Sequence, residues 1–90
     1  MREIELTIVN KLGLHARAAA KFVTLASGFE SDIKLERNGR QVNGKSIMGV
    51  MMLAAGQGSS IRITASGVDE EKAIREIEAL VSDGFGENHG

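Results

Sequence analysis

Apolar and polar residues alternate in three stretches of the chain, at positions 3–9, 31–37 and 60–66. Alternation places every second side chain on the same face, so each stretch is predicted to form a strand with one buried face. An Asn-Gly pair follows the second stretch at positions 38–39, and this pair is a strong signal for a tight hairpin turn. We therefore predict a further short strand at positions 40–43.

Helical spacing of apolar residues begins at Ala16 and continues to Ser27. We predict that this first helix ends at Gly28 in the left-handed conformation that often closes a helix. Its buried face is predicted to consist of Ala19, Phe22, Val23 and Ala26. Ser46 precedes a second, short apolar helix that is predicted over positions 47–55.

A third helix is predicted to begin in the acidic segment 69–71, because acidic residues suit the positive end of a helix. It is predicted to stop at Gly84, and its apolar stripe contains Ala73, Ile74, Ile77, Leu80 and Val81. Positions 85–90 are predicted to form a frayed polar tail, and His89 within it is given no role. The element order is β-α-β-β-α-β-α, which fits a single sheet with helices on one face and water on the other.

The length and composition of the chain exclude several classes of function. Ninety residues fit a single domain spanning 1–90. The chain has no cysteine, which excludes disulfides, thiolate zinc sites and cysteine nucleophiles. A net charge of −1 and few aromatic residues do not suggest a nucleic-acid binder, and no apolar run is long enough to span a membrane. We expect a cytoplasmic protein.

Neither histidine has a carboxylate or cysteine at metal-ligand spacing nearby in the sequence, so no metal site is expected. The segment Gly56-Gln57-Gly58 follows a predicted helix and leads to a strand, which is the reverse of a phosphate-binding P-loop. We expect no nucleotide and no other cofactor.

A histidine stands where the first strand gives way to the first helix. Helix N-caps favour Ser, Thr, Asp and Asn, so local preference does not explain His15. The backbone N–H groups of Ala16 and Arg17 would point outward there, and a phosphoryl group on the imidazole ring would accept hydrogen bonds from them. The Arg17 guanidinium adds positive charge. The small residues Ala16 and Ala18 are expected to leave the site open to a large partner. The competing interpretation is a loop histidine beside a solvated arginine.

Ser46 allows two compatible interpretations. A serine just before an apolar helix is an ordinary N-cap. A phosphate at a helix N-terminus is also tolerated, so Ser46 is a candidate regulatory phosphorylation site. The helix after it carries more apolar residues than one face can bury: Ile47, Val50 and Leu53 are predicted to face the sheet. Met48, Met51 and Met52 would then be partly exposed for partners, unless the small core absorbs them.

Two motifs together resemble the HPr family, the histidine-containing phosphocarriers of the bacterial phosphoenolpyruvate-dependent phosphotransferase system. They are Gly-Leu-His-Ala-Arg-Ala at 13–18 and Lys-Ser-Ile-Met-Gly-Val-Met at 45–51. The resemblance covers nearly the whole chain and implies an α+β open-faced β-sandwich, with three helices on one face of a four-stranded antiparallel sheet. It implies no cofactor, and a monomer is expected.

The resemblance also implies roles for particular residues. His15 would accept the phosphoryl group on Nδ1, from phosphorylated enzyme I, and would pass it to a histidine of an EIIA-type protein. Arg17 would steady the phosphoryl group, and Ser46 would be the target of an ATP-dependent HPr kinase where that kinase exists. The partner surface implied by the family maps onto Ala16, Ala20, Thr24, Ile47, Met48 and Met51.

The sequence departs from the commonest family pattern at Ala18, where proline is frequent. Segments 10–13 and 82–87 resemble the nitrogen-related paralogue, whereas the second helix resembles the sugar-system protein, so both branches stay open. One alternative is a regulatory binding module in which Ser46 and the methionines recruit a transcriptional regulator. Another is a small-ligand regulatory domain on a similar sandwich.

Overall fold

The computed structural model describes residues 1–87 and contains four strands and three helices. The strands are β1 (Arg2–Thr7), β2 (Asp32–Arg37), β3 (Arg40–Asn43) and β4 (Ser60–Ser66). The helices are α1 (Ala16–Ser27), α2 (Ile47–Met52) and α3 (Glu70–Ser82), and a 3-10 helix follows at Gly84–Gly86. All strand pairs are antiparallel, in the order β1-β4-β2-β3. The predicted α+β open-faced sandwich is confirmed.

The sheet buries one row of aliphatic side chains beneath the helices. Ile63 on β4 lies opposite Ile4 on β1 and Leu35 on β2. The strand register therefore places the apolar residues of all three strands side by side on the same face of the sheet. Ile63 and Leu35 are fully buried, and Phe22 of α1 and Ile77 of α3 close over them in the same core. Burial of each such side chain contributes about 1.5–3 kcal/mol.

The other face of the sheet is polar, as its alternation predicts. Arg62 on β4 contacts the carboxylates of Glu3 at 2.9 Å and Glu36 at 3.5 Å, on the two neighbouring strands. These pairs are open to water and contribute little to stability. Their arrangement keeps this face hydrated, and the apolar face is the one that receives the helices.

Some element ends differ from the predicted ones. β1 ends at Thr7 rather than at position 9, and β2 begins one residue later than predicted, at Asp32. The predicted left-handed conformation of Gly28 is wrong: its φ is −78° and ψ is −10°, because its N–H still bonds to carbonyls of the preceding turn. Within residues 1–87, no helix combines the length and apolar character that crossing a bilayer requires.

The second helix is three residues shorter than predicted, because the chain turns sharply after it. Ala54 adopts a φ of +51°, which brings the side chains of Leu53 and Ala55 on either side of it into the core. Guanidinium groups of Arg37 and Arg40 donate to the carbonyls of Leu53 and Met52, at 3.1 and 3.2 Å. These contacts replace the hydrogen bonds that a longer helix would supply.

Asp69, just before α3, ties that helix to the segment between α1 and β2. Its carboxylate accepts hydrogen bonds from the Ser31 hydroxyl and from the backbone N–H groups of Ser31 and Glu30. Ser31 is fully buried, so its hydroxyl depends on this partner. The Ser31 hydroxyl is the largest cause, followed by the Glu30 N–H, of a pKa for Asp69 below its usual 3.8.

We expect Asp69→Asn to lower the free energy of unfolding at neutral pH. We also expect this free energy to decrease less in the variant than in the wild type as the pH is lowered. A lowered folded-state pKa gives stability that is present above pH 3.8 and is lost as pH falls through the folded value. Urea unfolding of both proteins between pH 2 and 7 measures this. The pKa values of Glu70 and Glu87 are also lowered, so some acid sensitivity stays in the variant. Parallel curves for the two proteins would contradict this account.

Candidate functional site

The loop between β1 and α1 is fixed against the segment that follows α2. Gly13 has a φ of +68°, and a Cβ there would lie 2.5 Å from the carbonyl oxygen of Ala55. Only glycine fits this approach. The N–H of the next residue, Leu14, donates to that same carbonyl at 2.9 Å. The residue after Leu14 is therefore delivered to a defined place at the start of α1.

That residue, His15, is the N-cap of α1. Its backbone is extended, and its carbonyl accepts the first helical hydrogen bond, from the N–H of Ala19 at 2.8 Å. Its ring Nδ1 accepts from the N–H of Arg17 at 3.4 Å, which is long for a hydrogen bond. This bond is weak, so the ring makes little use of the outward-pointing N–H of Arg17.

The other ring nitrogen has a carboxylate partner. Nε2 of His15 lies 2.6 Å from Oε2 of Glu87. A carboxylate accepts hydrogen bonds, so this contact places a proton on Nε2, while the contact with Arg17 N–H requires a lone pair on Nδ1. The two contacts agree on one neutral tautomer, which has its free lone pair on Nδ1, at the helix N-terminus.

Glu87 is the functional residue that the sequence analysis missed, and the predicted frayed tail is wrong as far as this residue. Residues 84–87, here called the C-terminal turn, fold back onto α1. Phe85 is fully buried, and its carbonyl accepts from the Lys21 ammonium at 2.7 Å. Two signals were available in the sequence: a phenylalanine in a segment otherwise polar, and the resemblance of segment 82–87 to the nitrogen-related paralogue. His89 lies outside the described residues.

The surroundings of Glu87 keep its carboxylate ionised. Partial burial, the largest single influence, raises its pKa. Hydrogen bonds from Asn10 and His15, together with attraction to the Lys21 ammonium and to the imidazole whenever it is protonated, outweigh that effect and hold the pKa below its usual 4.5. A charged carboxylate against Nε2 stabilises a ring that acquires positive charge.

His15 lies at the wall of an open depression of about 800 Å³. Its side chain is 28% exposed, and the side chains of Lys11, Arg17 and Lys21 line the same depression. These cations would attract an anionic group toward the ring. Ala16 is exposed beside it, but Ala18 is fully buried, so the expectation that Ala18 opens the site is wrong.

Ser46 is the N-cap of α2. Its hydroxyl accepts from the N–H of Gly49 at 3.0 Å, and its carbonyl accepts the first helical bond from Val50 at 2.9 Å. The capping interpretation is therefore confirmed. Ser46 is half-buried, and Lys45 beside it is held by the carbonyl of Phe29 at 2.7 Å.

An exposed apolar surface runs along α2. Met48 is 71% exposed, and Met51 and Met52 are exposed as predicted, whereas Val50 is buried. The prediction that Ile47 faces the sheet is wrong, because its side chain is exposed as well. We call Ile47, Met48, Met51 and Met52 the α2 patch. On α1, Thr24 is exposed and Ala20 is half-buried.

Comparison with known proteins bears on this geometry. The family model described as the PTS HPr component phosphorylation site matches residues 2–83. A phosphocarrier protein HPr of Cupriavidus necator is 55% identical over 87 residues, which cover 97% of this chain and 98% of that protein. The chain belongs to the HPr family. Membership of this family makes the chain a phosphocarrier of the phosphotransferase system.

Solved HPr structures share the fold. The crystal structure of an HPr from Thermoanaerobacter tengcongensis has a TM-score of 0.95 and 47% identity, and covers 99% of this chain and 100% of that one. A second structure from this organism is a dimer of HPr, with a TM-score of 0.78, 48% identity and coverage of 97% and 100%. The expected monomer therefore stays a prediction for this chain.

Proposed function

We propose that this chain accepts a phosphoryl group from phosphorylated enzyme I on Nδ1 of His15 and passes it to a histidine of an EIIA-type protein. The observation that carries the proposal is the unequal environment of the two ring nitrogens. Nε2 is paired with the Glu87 carboxylate, and Nδ1 has only a long contact at the helix N-terminus. A phosphoryl acceptor needs such a free lone pair beside groups that bind its oxygens.

The transfer is a balanced exchange of one bond for another. The Nδ1 lone pair of His15 attacks phosphorus in line, the bond from phosphorus to the donor's imidazole nitrogen breaks, and its electron pair returns to that nitrogen. The N–H groups of Ala16 and Arg17 and the Arg17 guanidinium hold the phosphoryl oxygens. The weak bond between Arg17 N–H and Nδ1 costs little to exchange for one to the phosphoryl group.

Glu87 supports the product without burying it. Phosphorylation on Nδ1 leaves a positively charged ring that still carries its Nε2 proton, and the adjacent carboxylate stabilises that charge. The depression remains open on the other side. Such a site binds the phosphoryl group long enough to carry it and leaves it accessible to the next histidine, as a relay between two proteins requires.

The docking surface we propose for both partners surrounds His15. It comprises exposed or half-buried residues of α1 together with the α2 patch: Ala16, Ala20, Thr24, Ile47, Met48, Met51 and Met52. Flexible methionine side chains adapt to more than one partner, which suits a carrier that must meet a donor and an acceptor with the same face. We further infer that the chain works as a monomer in the cytoplasm.

We infer that Ser46 is a regulatory phosphorylation site, with an HPr kinase/phosphorylase as partner. A phosphate on Ser46 would place close to two negative charges beside the α2 patch. The added charge would weaken docking of enzyme I. A regulatory binding module, in which Ser46 and this patch recruit a transcriptional regulator, is the second candidate function, and the exposed α2 patch is what favours it.

We expect Ser46→Asp to slow phosphorylation by enzyme I on the order of tenfold at low salt, with partial recovery at high salt. Ser46→Asn is the matched control, because asparagine caps a helix as well as serine does and carries no charge. Rates close to wild type are expected for it. Initial rates at two ionic strengths measure both variants, and equal rates for the Asp and Asn variants would refute the electrostatic account.

Incubation with enzyme I and phosphoenolpyruvate, followed by intact mass measurement, tests the proposed function. We expect one added phosphate that is lost in mild acid, as phosphoramidates are. Subsequent addition of an EIIA-type protein should return the mass to that of the unmodified chain. An unmodified chain after prolonged incubation with active enzyme I would overturn the proposal.

A further inference from the structure

Asn10 is a buried polar residue whose side-chain contacts lead to the His15 site. It is 3% exposed. Its Nδ2 donates to the carbonyl oxygen of Gly13 at 2.8 Å and to Oε1 of Glu87 at 3.1 Å. One amide group therefore joins the loop that precedes the nucleophile to the carboxylate that holds the nucleophile.

The other polar atom of this side chain has no partner. Oδ1 of Asn10 is buried without a hydrogen bond from any of the described residues. An unpaired buried acceptor costs free energy, and an apolar side chain of similar size would avoid that cost. Turning the amide over would place Oδ1 against two oxygen acceptors, so its orientation is fixed. The bond to Gly13 closes the loop, and the second bond, to Glu87, links this side chain to the site.

We propose that Asn10 is a positioning residue for phosphoryl transfer: it holds the Glu87 carboxylate where that group accepts the Nε2–H of His15 and leaves Nδ1 free. This inference rests on the proposed function. Asn10 contacts neither the ring nor the place of the phosphoryl group, so it acts through Glu87. Each carboxylate oxygen has one partner, Oε1 with Asn10 and Oε2 with His15, so both are held.

Charges around the depression explain why Glu87 needs to be held. Lys11, Arg17 and Lys21 line the same depression, and Glu87 is the one carboxylate among the described residues that line it. A carboxylate released from Asn10 would have these cations as competing partners. The ring would then lose the contact that fixes its tautomer, and a share of the molecules would present a protonated Nδ1 that cannot attack phosphorus.

The experiment combines 15N spectra of the His15 ring with the rate of phosphorylation by enzyme I. The variants are Asn10→Ala and Asn10→Leu, the second because leucine fills nearly the same volume without a polar atom. We expect both to move the two ring-nitrogen resonances toward the average of exchanging tautomers. We expect the phosphorylation rate to fall on the order of tenfold.

A cycle of variants separates positioning from a general effect on folding. If Asn10 acts through Glu87, the double variant Asn10→Ala/Glu87→Ala should be no slower than Glu87→Ala alone. Asn43→Ala is the control, because the Asn43 side chain also closes a loop, by accepting from the N–H of Lys45 at 2.9 Å. We expect wild-type ring resonances from it.

Two results would overturn the inference. One is an unchanged His15 tautomer in Asn10→Leu. The other is a phosphorylation rate in the double variant that is reduced by the product of the factors measured for the two single variants. Thermal unfolding of each variant establishes that it is folded before its ring is examined. The spectra require no phosphate, so they report on Asn10 even if enzyme I fails to modify the wild-type chain. That failure would refute the proposed function and leave the positioning of the ring measurable.

Discussion

Replacement of His15 with alanine is expected to abolish phosphorylation by enzyme I while the protein stays folded. The variant removes the proposed nucleophile, and no other group in the depression offers a neutral nitrogen lone pair among the described residues. Its hydrogen bond to the Arg17 N–H is long, so the loss in helix capping should cost less than about 1 kcal/mol. Mass measurement after incubation with enzyme I and phosphoenolpyruvate, together with urea unfolding, checks both statements.

Two matched variants make this result specific. His15→Asn supplies a good N-cap without a nucleophile, so it should be at least as stable as the alanine variant and equally inactive. His89→Ala removes the other of the two histidines and should accept phosphate normally. An acid-labile phosphate on the His15→Ala protein would show that the phosphoryl group resides elsewhere.

Replacement of Phe85 with alanine is expected to lower the free energy of unfolding by about 3–5 kcal/mol, the usual cost of emptying a buried aromatic site. Phe85 is fully buried and anchors the C-terminal turn. The change should also release Glu87 from His15, and so slow phosphorylation, because the turn is what carries the carboxylate to the ring. Urea unfolding and the 15N spectra of the ring measure the two effects.

Two further variants, Phe85→Leu and Phe85→Gly, distinguish the contribution of the buried side chain from that of the backbone conformation at this position. Leucine keeps most of the apolar volume and should cost less than about 1.5 kcal/mol while preserving the His15 tautomer. Phe85 also has a φ of +60°, so Phe85→Gly removes the same side chain while relaxing the backbone. A wild-type tautomer in Phe85→Ala would show that Glu87 reaches His15 without this anchor.

Much of the fold follows from local pattern. The alternation around Ile33 and Ile63 predicted strands, and the change of period at Ala16 predicted a helix. Both predictions succeeded because the repeat of a strand or a helix by itself determines which side chains face the core. The prediction was wrong at Ile47. A helix of only six residues has too few turns to define a face, and its orientation depends on Arg37 and the turn at Ala54.

The candidate site was predictable only in part. His15, Arg17 and Ser46 stand in short motifs at helix starts, where unpaired backbone donors create the chemistry locally. Glu87 and Asn10 are brought together only by tertiary folding, and the resemblance of segments 10–13 and 82–87 to the nitrogen-related paralogue gave neither residue a role. Their importance depends on the distance between the Glu87 carboxylate oxygen and the Asn10 amide nitrogen in the folded protein. The spacing of residues along the chain does not predict that distance.

The contact between His15 and Glu87 joins residues that are 72 positions apart. Closing so long a loop costs conformational entropy, which the packing of the core between the two segments offsets. A fragment that includes α1 but ends before the C-terminal turn is expected to lack the carboxylate partner of Nε2. Its imidazole would keep only the local contact between Nδ1 and the Arg17 N–H.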